Sequence, residues 1–496
     1  MSDKLEARGY QLYIIGRILK ACGSGRNIIV ELDAGMGKRV ISFLLTKYLN
    51  PSDRVLFITP SRASVRDTYN FFEKLAREGN LKGFKFGFLS SGIGSSYREY
   101  IIKNNNFIFT TPVTLANILS KNPMLSKFDY IILNEVDKYV KRVSYVPVYD
   151  EVPDYLAQYQ LVYPWPKLKF LLPKEACWIG LSGTLKDVHT IRSRDDAMFK
   201  PELETIVKVL YPKGKEVDIV KMDDILSKTD ASKYIWSNLT VVKKIPVNDR
   251  IIKQILDGLT EAIGDITKIL ASRYLKEKEN ELVSSELIEK AISTIPRDDV
   301  NRIRFLRLAL IRKFITASVP DHYKRFILRP SIIRIMRRKI ENFAENMIPH
   351  ESSKVSRAVK IAKEWALSGK KVVILSSYIV TAVEIQKKLK EHDIKTFLLT
   401  GKTHNKGKII NSFKEEKSGA VLIMTPVGER DIDLPEADLL IVHDVINTPK
   451  TMYQRFKRGR RAYVAILYYN ETYEEEKVNK LLNRIKNKYP WSIIIE

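Results

Sequence analysis

Cysteine and histidine are scarce in this chain, which has two cysteines and six histidines among 496 residues. Cys22 and Cys177 are too few for a disulfide framework or a cysteine-based metal site, and the scattered histidines show no metal-ligand spacing. Apolar runs are also short. None approaches the roughly 18 residues of a membrane span, and the N-terminal MSDKLEARGY lacks the apolar core of a signal peptide. We therefore expect a soluble cytoplasmic protein, in which any metal arrives with a nucleotide.

Acidic residues are also few relative to basic ones. The chain has 58 Asp and Glu and 84 Lys and Arg, which gives a net charge of +26. Such an excess favours a polyanionic partner, because neutralising phosphates releases condensed counterions. Solubility alone does not require so one-sided a balance. The sequence therefore predicts binding to DNA or RNA and, for the cytoplasmic location, association with the nucleoid. Abundant Lys, Arg and Glu with few Gln and Cys are also typical of thermophiles.

Short apolar, β-branched runs recur between helical patterns over residues 27–183 and again over 371–469. Runs of this kind predict buried parallel strands, and so two α/β domains. Residues 249–346 read as helices instead, with breaks at Pro296, Pro320 and Pro330. We assign domain 1 to residues 1–200, a helical insert to 201–350 and domain 2 to 351–496.

The stretch ELDAGMGKRVIS, residues 31–42, has the pattern of a phosphate-binding loop between a strand and a helix. In such loops glycines let backbone amides turn toward phosphates, and the lysine reaches the terminal phosphates. Gly35, Gly37 and Lys38 occupy these positions. A tight turn with an exposed lysine is the alternative, so the loop alone does not decide the function.

Further motifs follow in a fixed order along the chain. They are RGYQ at 8–11, TTPVT at 110–114, ILNEVD at 132–137, LSGT at 181–184, TPVGERDID at 425–433 and YQRFKRGRR at 453–461. This series resembles the superfamily 2 helicases over nearly the whole chain. The place of the helical insert, with RGYQ, TTPVT and VGERDIDLPEADL, is most similar to the Hef/FANCM branch, known from archaeal Hef.

The resemblance implies two RecA-like domains that hold ATP or ADP and a nucleic-acid strand, with the insert gripping branched DNA. It implies nucleotide contacts for Arg8, Gln11, Gly35, Gly37, Lys38, Arg39, Asn134 and Asp433. It implies that Glu135 polarises the attacking water and that Arg458 and Arg461 stabilise the phosphoryl group. Thr111, Pro112, Thr400 and Gly401 match positions that touch the nucleic-acid backbone.

Two departures fall on the magnesium ligands of the family. Arg39 replaces a Thr that ligates the metal, and Asn134 replaces an Asp that holds it through water. Asp431, Lys457 and Arg460 also replace glycines of the later motifs. Arg39 could neutralise phosphate charge directly or pair with Glu135 or Asp137, and both alternatives stay open. We expect that magnesium is not held and that hydrolysis is weak or absent, with Glu135, Arg458 and Arg461 vestigial.

The richest basic stretch, residues 297–339, has only three acidic residues. A merely solvated helix face normally mixes charges, so the bias favours a phosphate-contacting surface. Helical spacing groups several of these cations on shared faces. The candidate DNA-binding residues are Arg304, Arg307, Arg312, Arg334, Arg337 and Arg338, and Tyr323 and Phe326 are candidates for stacking on a base.

Three functions remain as hypotheses. The leading one is a degenerate Hef-like helicase that binds forks or junctions as a scaffold or regulator of DNA repair or recombination. An active ATP-dependent DNA translocase and an RNA-binding relative are the alternatives. Hef-type proteins carry a nuclease after the helicase core, for which this chain leaves no room, so a separate nuclease is an expected partner. The terminal WSIIIE is expected to dock as a last strand or to pair with another protein.

Overall fold

The computed structural model describes residues 7–33, 35–78, 83–90, 92–142, 159–183, 187–191, 197–236, 240–274, 295–403, 405–425, 436–445, 452, 456, 463–488 and 493–496. The chain divides into two compact units, Met1–Trp236 and Ser237–Glu496. No helix in these ranges is both long and apolar enough to cross a membrane.

The first unit is built on a seven-stranded sheet of β1 Asn27–Glu31, β2 Val55–Ile58, β3 Phe86–Phe88, β4 Phe107–Thr110, β5 Tyr130–Asn134, β8 Cys177–Ser182 and β11 Val217–Val220. All of its strands are parallel, in the order β11-β1-β8-β5-β2-β4-β3. Two antiparallel pairs accompany it: β6 Val140–Arg142 with β7 Tyr159–Leu161, and β9 Asp187–Ile191 with β10 Ala197–Pro201.

Helices of the first unit are α1 Gly9–Gly23, α2 Lys38–Leu45, α3 Arg62–Glu78, α4 Ser95–Asn104, α5 Pro112–Leu119, α6 Trp165–Leu171, α7 Glu202–Leu210, α8 Met222–Lys228 and α9 Ala231–Trp236. Strands β2, β4 and β8 are buried along their whole length. Parallel strands covered on both faces need such continuous apolar runs. Gly180 lies in β8, where a Cβ would come within 2.2 Å of the Tyr211 hydroxyl. That hydroxyl donates to the carbonyl of Ile28, so the glycine makes room for a buried hydrogen bond.

The second unit has another seven-stranded parallel sheet, in the order β14-β15-β13-β16-β17-β12-β18. Its strands are β12 Thr240–Val247, β13 Lys371–Leu375, β14 Thr396–Leu399, β15 Ala420–Met424, β16 Leu439–Val442, β17 Tyr463–Tyr469 and β18 Ile493–Ile495. Its helices are α10 Arg250–Tyr274, α11 Val300–Ala317, α12 Pro320–Ile327, α13 Pro330–Met336, α14 Ser353–Leu367, α15 Ile379–Lys390, α16 Lys406–Glu415 and α17 Tyr473–Lys488. The predicted α/β class with two parallel-sheet domains is confirmed.

Helices α10 to α13 form a layer with its own apolar core, which includes Leu259, Phe305 and Met336. Residues 201–350, assigned above to one insert, are divided between the two units, because β11 joins the first sheet and β12 joins the second. At the chain end, β18 pairs in parallel with β12, in the register Thr240↔Ile493. The strand expected from WSIIIE therefore docks on its own sheet, while Trp491 itself lies outside the described residues.

Cys22 and Cys177 form a disulfide between α1 and the first residue of β8, with Cα atoms 5.4 Å apart. Two cysteines are too few for a framework, but they form this single bond, which the sequence does not predict. Spacing along the chain carries no information about it, because 155 residues separate the partners.

Candidate nucleotide site and nucleic-acid surface

The phosphate-binding loop joins β1 to α2, as predicted. Gly35 and Gly37 have φ values of 86° and 75°, a left-handed backbone that favours glycine. This conformation turns the loop into the N-terminus of α2, where the helix amides can face an anion. The Lys38 ammonium donates to the carbonyl oxygens of Leu32 at 3.0 Å and of Asp33 at 3.5 Å.

Lys38 also lies beside the LSGT segment, since a Cβ on Gly183 would be 3.2 Å from its Nζ atom. Strand β8 carries this segment next to β1, with Glu31 paired to Ser182. The structure therefore brings the loop lysine and the end of β8 together. Thr184 of the same motif lies outside the described residues.

The RGYQ segment packs on the phosphate-binding loop. The buried Tyr10 hydroxyl donates to the carbonyl of Met36 at 2.9 Å, and burial raises the pKa of Tyr10 above its usual value. Gln11 accepts from the Arg8 amide at 3.0 Å, and its Nε2 would be 3.0 Å from a Cβ on Gly37. These contacts hold the Gln11 side chain against the phosphate-binding loop, so its predicted nucleotide contact stays a prediction.

Residues from α9 and the turn before it complete this arrangement, although no motif in the sequence marks them. Asp230 accepts from the Tyr10 amide at 3.2 Å. The Arg8 guanidinium lies 4.3 Å from the centre of the Tyr234 ring, a cation–π geometry. More than 200 residues separate the partners, so only the fold connects them.

The acidic box ends β5 at the same edge of the sheet. Asn134 is buried and its amide donates to the Thr59 hydroxyl at 3.3 Å. Glu135 has a left-handed backbone, with φ 53°, and pairs with Lys138. Asp137 accepts from the Ser182 hydroxyl at 3.0 Å. The three polar side chains therefore follow one another at the end of β5, with Asn134 contributing an amide where a carboxylate is expected.

Magnesium does not fit the residues at this site. Asn134 is neutral and donates a hydrogen bond, whereas the metal prefers carboxylate oxygens or water held by them. Arg39 directly follows the loop lysine in the first turn of α2, and a guanidinium has no lone-pair oxygen to bind a metal ion. Among the described residues, no group of three or more Asp, Glu, His or Cys could hold a metal ion.

The second half of the predicted site, Asp433, Arg458 and Arg461, lies outside the described residues. The same holds for Asp431, Lys457 and Arg460, which replace glycines of the family motifs. The nucleotide contact of Asp433 and the phosphoryl stabilisation by Arg458 and Arg461 therefore stay predictions.

The predicted backbone-contacting residues occupy strand ends in both units. Thr111 is buried and caps α5 by accepting from the Thr114 amide, and Pro112 begins that helix. In the second unit, the buried Thr400 accepts from the Lys402 amide at 3.2 Å, and Gly401 next to it is exposed. The side chains of Thr111 and Thr400 hydrogen-bond to backbone amides of their own turns. Gly401 is therefore the most accessible of the four predicted contact residues.

Most of the predicted basic surface is exposed, including Arg304 and Arg307 on α11 and the group Arg334, Arg337 and Arg338 at α13 and just after it. Arg312 is the exception, because it is only 7% exposed and its guanidinium lies 4.0 Å from the centre of the Tyr473 ring. It also donates to the Thr260 hydroxyl. Arg312 is therefore buried by packing and does not belong to the basic surface as predicted. The predicted stacking of Tyr323 on a base is also wrong, because its ring is buried.

Two family models match the chain. The DEAD/DEAH box helicase model covers residues 8–191, and the helicase conserved C-terminal domain covers residues 353–463. The first contains the phosphate-binding loop and the acidic box, and the second contains most of the second parallel sheet.

Individual relatives agree with these models. A putative ATP-dependent RNA helicase of Methanocaldococcus jannaschii is 23% identical and aligns with 97% of this chain and 61% of its own length. The Fanconi anemia group M protein homolog of Mus musculus is 22% identical, over 97% of this chain and 26% of its own length. The chain thus spans less than two thirds of either relative.

Among solved structures, the crystal structure of the Pyrococcus furiosus Hef helicase domain matches with a TM-score of 0.59 at 17% identity. The match covers 96% of this chain and 98% of that domain. The likeness shows the fold, and it identifies the two parallel-sheet domains as RecA-like.

Proposed function

Because the chain belongs to the superfamily 2 helicases, with a core of the Hef/FANCM type, we propose that it binds branched DNA and hydrolyses ATP weakly or not at all. It would then act as a scaffold or regulator in DNA repair or recombination, close to the nucleoid. The replacement of both residues that hold magnesium in the family, by Arg39 and Asn134, carries this proposal.

Phosphoryl transfer in this superfamily depends on a metal ion that bridges phosphate oxygens and neutralises developing charge. Asn134 donates its amide to Thr59 and supplies no negative charge to attract the ion. Arg39 can offset phosphate charge through its guanidinium, but it cannot order water in the octahedral geometry of magnesium. Losing two separate contacts to the same ion supports weak hydrolysis more strongly than either change alone.

The same cleft keeps residues that suit a nucleotide. Gly35 and Gly37 have the backbone that a phosphate requires, Lys38 lies at the loop, and Gln11 is held beside it. ATP or ADP is therefore the proposed ligand, with Lys38 and the loop amides holding its phosphates and Gln11 its base. Glu135, paired with Lys138, is a vestigial base under this proposal.

For DNA binding, the support comes from charge and exposure. The net charge is +26, and Arg304, Arg307, Arg334, Arg337 and Arg338 are exposed on one helical layer. Contacts to phosphates position a protein without reading sequence. Recognition would therefore follow the shape of the DNA, such as a fork or a four-way junction.

Competition binding at fixed salt tests this preference. A labelled fork is displaced by unlabelled fork, four-way junction, linear duplex DNA or duplex RNA of equal length. We expect forks and junctions to compete at least about tenfold better than linear duplex, since 1.4 kcal/mol of extra contact gives that ratio. Equal competition by linear duplex would contradict the proposal. Preferential competition by RNA would favour the RNA-binding alternative, which the putative RNA helicase among the relatives supports.

Removing two arginines from α11 should reduce the salt dependence of binding. For an Arg304→Ala/Arg307→Ala variant, we expect the slope of log affinity against log salt to become shallower by about 2, one for each lost phosphate contact. The matched control is Lys387→Ala/Lys390→Ala, which removes two exposed cations three residues apart from α15. Equal slopes for the wild type and the α11 variant would show that this surface does not contact phosphates.

A separate structure-specific nuclease or another repair protein is the proposed protein partner. This suggestion follows from the Hef-type resemblance, in which a nuclease accompanies the helicase core. Co-purification of the tagged protein with nuclease activity on forks, absent from an untagged control, would support it.

A further inference from the structure

Helix α4 carries two exposed tyrosines that stack on each other. Tyr97 and Tyr100 are 59% and 58% exposed, and their ring centres lie 5.8 Å apart with an angle of 13° between the planes. Large aromatic side chains usually bury most of their area, so a pair this exposed is unusual for a surface helix. Neither ring belongs to the motifs described above.

The exposed face of α4 is small and basic. Its exposed side chains, among those the structure describes, are Ser96, Tyr97, Tyr100, Lys103 and Asn104. None is acidic. Glu99 is partly buried and accepts from the Asn122 amide at 3.3 Å, on the side of the helix that faces the chain following α5. A cation therefore follows the two rings along the face, with no carboxylate among them.

Helix α4 also packs against α5, which begins at Thr111 and Pro112. Those two residues are the first-unit positions predicted to contact a nucleic-acid backbone, but both are buried. The exposed rings lie on the neighbouring helix, where they remain accessible.

We propose that Tyr97 and Tyr100 form a stacking site for bases of an unpaired DNA strand, with Lys103 beside the phosphates. The inference rests on the proposed DNA binding and adds the class of substrate: DNA with a single-stranded arm, bound in preference to a blunt duplex. Each ring has an outer face that a base can cover, and base–aromatic stacking tolerates any base sequence. Paired bases inside a duplex cannot reach such a site.

The test compares a single-stranded oligonucleotide, a fork with one single-stranded arm and a blunt duplex, each binding to the full chain. For Tyr97→Ala/Tyr100→Ala, we expect affinity for the single strand and the fork to fall about 30-fold, and duplex affinity to stay within about twofold. Tyr97→Phe/Tyr100→Phe should bind like the wild type, because phenylalanine keeps the stacking face. A fluorescent 2-aminopurine in the single-stranded arm should be quenched by the wild type and by the Phe variant, and not by the Ala variant.

The matched control is Tyr48→Ala/Phe170→Ala, which removes two other exposed aromatic side chains, 55% and 84% exposed, from the same unit. It should bind all three DNAs normally. Equal losses for single strand and duplex, or no loss for either, would overturn the stacking site. If the wild type binds none of the three DNAs, the proposed function is overturned instead. The experiment therefore distinguishes failure of the stacking site from failure of the proposed DNA binding.

Discussion

Magnesium is expected to leave the affinity of this protein for ATP unchanged within about twofold, and to raise that of an Arg39→Thr/Asn134→Asp variant about 100-fold. The reason is that the wild type offers the ion a guanidinium and a donating amide. The variant restores a ligand hydroxyl and a carboxylate. Isothermal titration with ATP, in excess magnesium or in EDTA, measures both affinities.

Lys38→Ala is the control for this experiment, since it removes the ammonium at the loop and should weaken ATP binding with or without metal. Magnesium-dependent tightening of ATP binding to the wild type would show that the cleft holds the ion despite both substitutions. No heat at millimolar ATP in either protein would contradict the proposal that the cleft still binds nucleotide.

Reducing the Cys22–Cys177 bond is expected to lower the free energy of unfolding of the first unit by about 4 kcal/mol. The bond closes a loop in which 155 residues separate the cysteines, so it removes much conformational entropy from the unfolded chain. It also ties α1, which carries Tyr10 and Gln11, to β8, which ends at the segment beside Lys38. Urea unfolding with and without a reductant, followed by tryptophan fluorescence, to which the buried Trp165 and Trp178 of the first unit contribute, measures the change.

A Cys22→Ser/Cys177→Ser variant provides the control. It should unfold at the same urea concentration as the reduced wild type, and the reductant should not change its unfolding midpoint. If alkylation and mass spectrometry found both thiols reactive in the purified protein, the bond would be absent in solution. An identical unfolding midpoint before and after reduction would contradict the stabilisation.

Much of the fold could be predicted from the sequence because its two sheets are parallel and buried on both faces. Runs such as RVLFITP and KVVILSS are continuously apolar for that reason, and they mark β2 and β13 directly. The phosphate-binding loop was equally readable, since its glycines fall where the backbone is left-handed. The short terminal strand β18 could be recognised because three consecutive isoleucines are β-branched residues that favour a strand, although only Ile493 of the three is buried.

Other features depend on contacts between distant residues, which periodicity does not encode. Arg312 looked like its exposed neighbours, yet the ring of Tyr473 and the hydroxyl of Thr260 hold it inside the second unit. The contacts of Tyr10 and Arg8 with Asp230 and Tyr234 depend on the same kind of long-range packing. Tyr97 and Tyr100 went unnoticed because exposure, and not residue type, distinguishes them from core tyrosines.

ATP turnover by the purified protein tests weak hydrolysis most directly. The assay contains magnesium and a saturating branched DNA at elevated temperature, with Lys38→Ala as the control for contaminating ATPase and junction binding measured on the same sample. We predict turnover no greater than that of Lys38→Ala, with junction binding intact. Turnover that DNA stimulates and Lys38→Ala abolishes would contradict the proposal and identify the protein as an active ATP-dependent translocase.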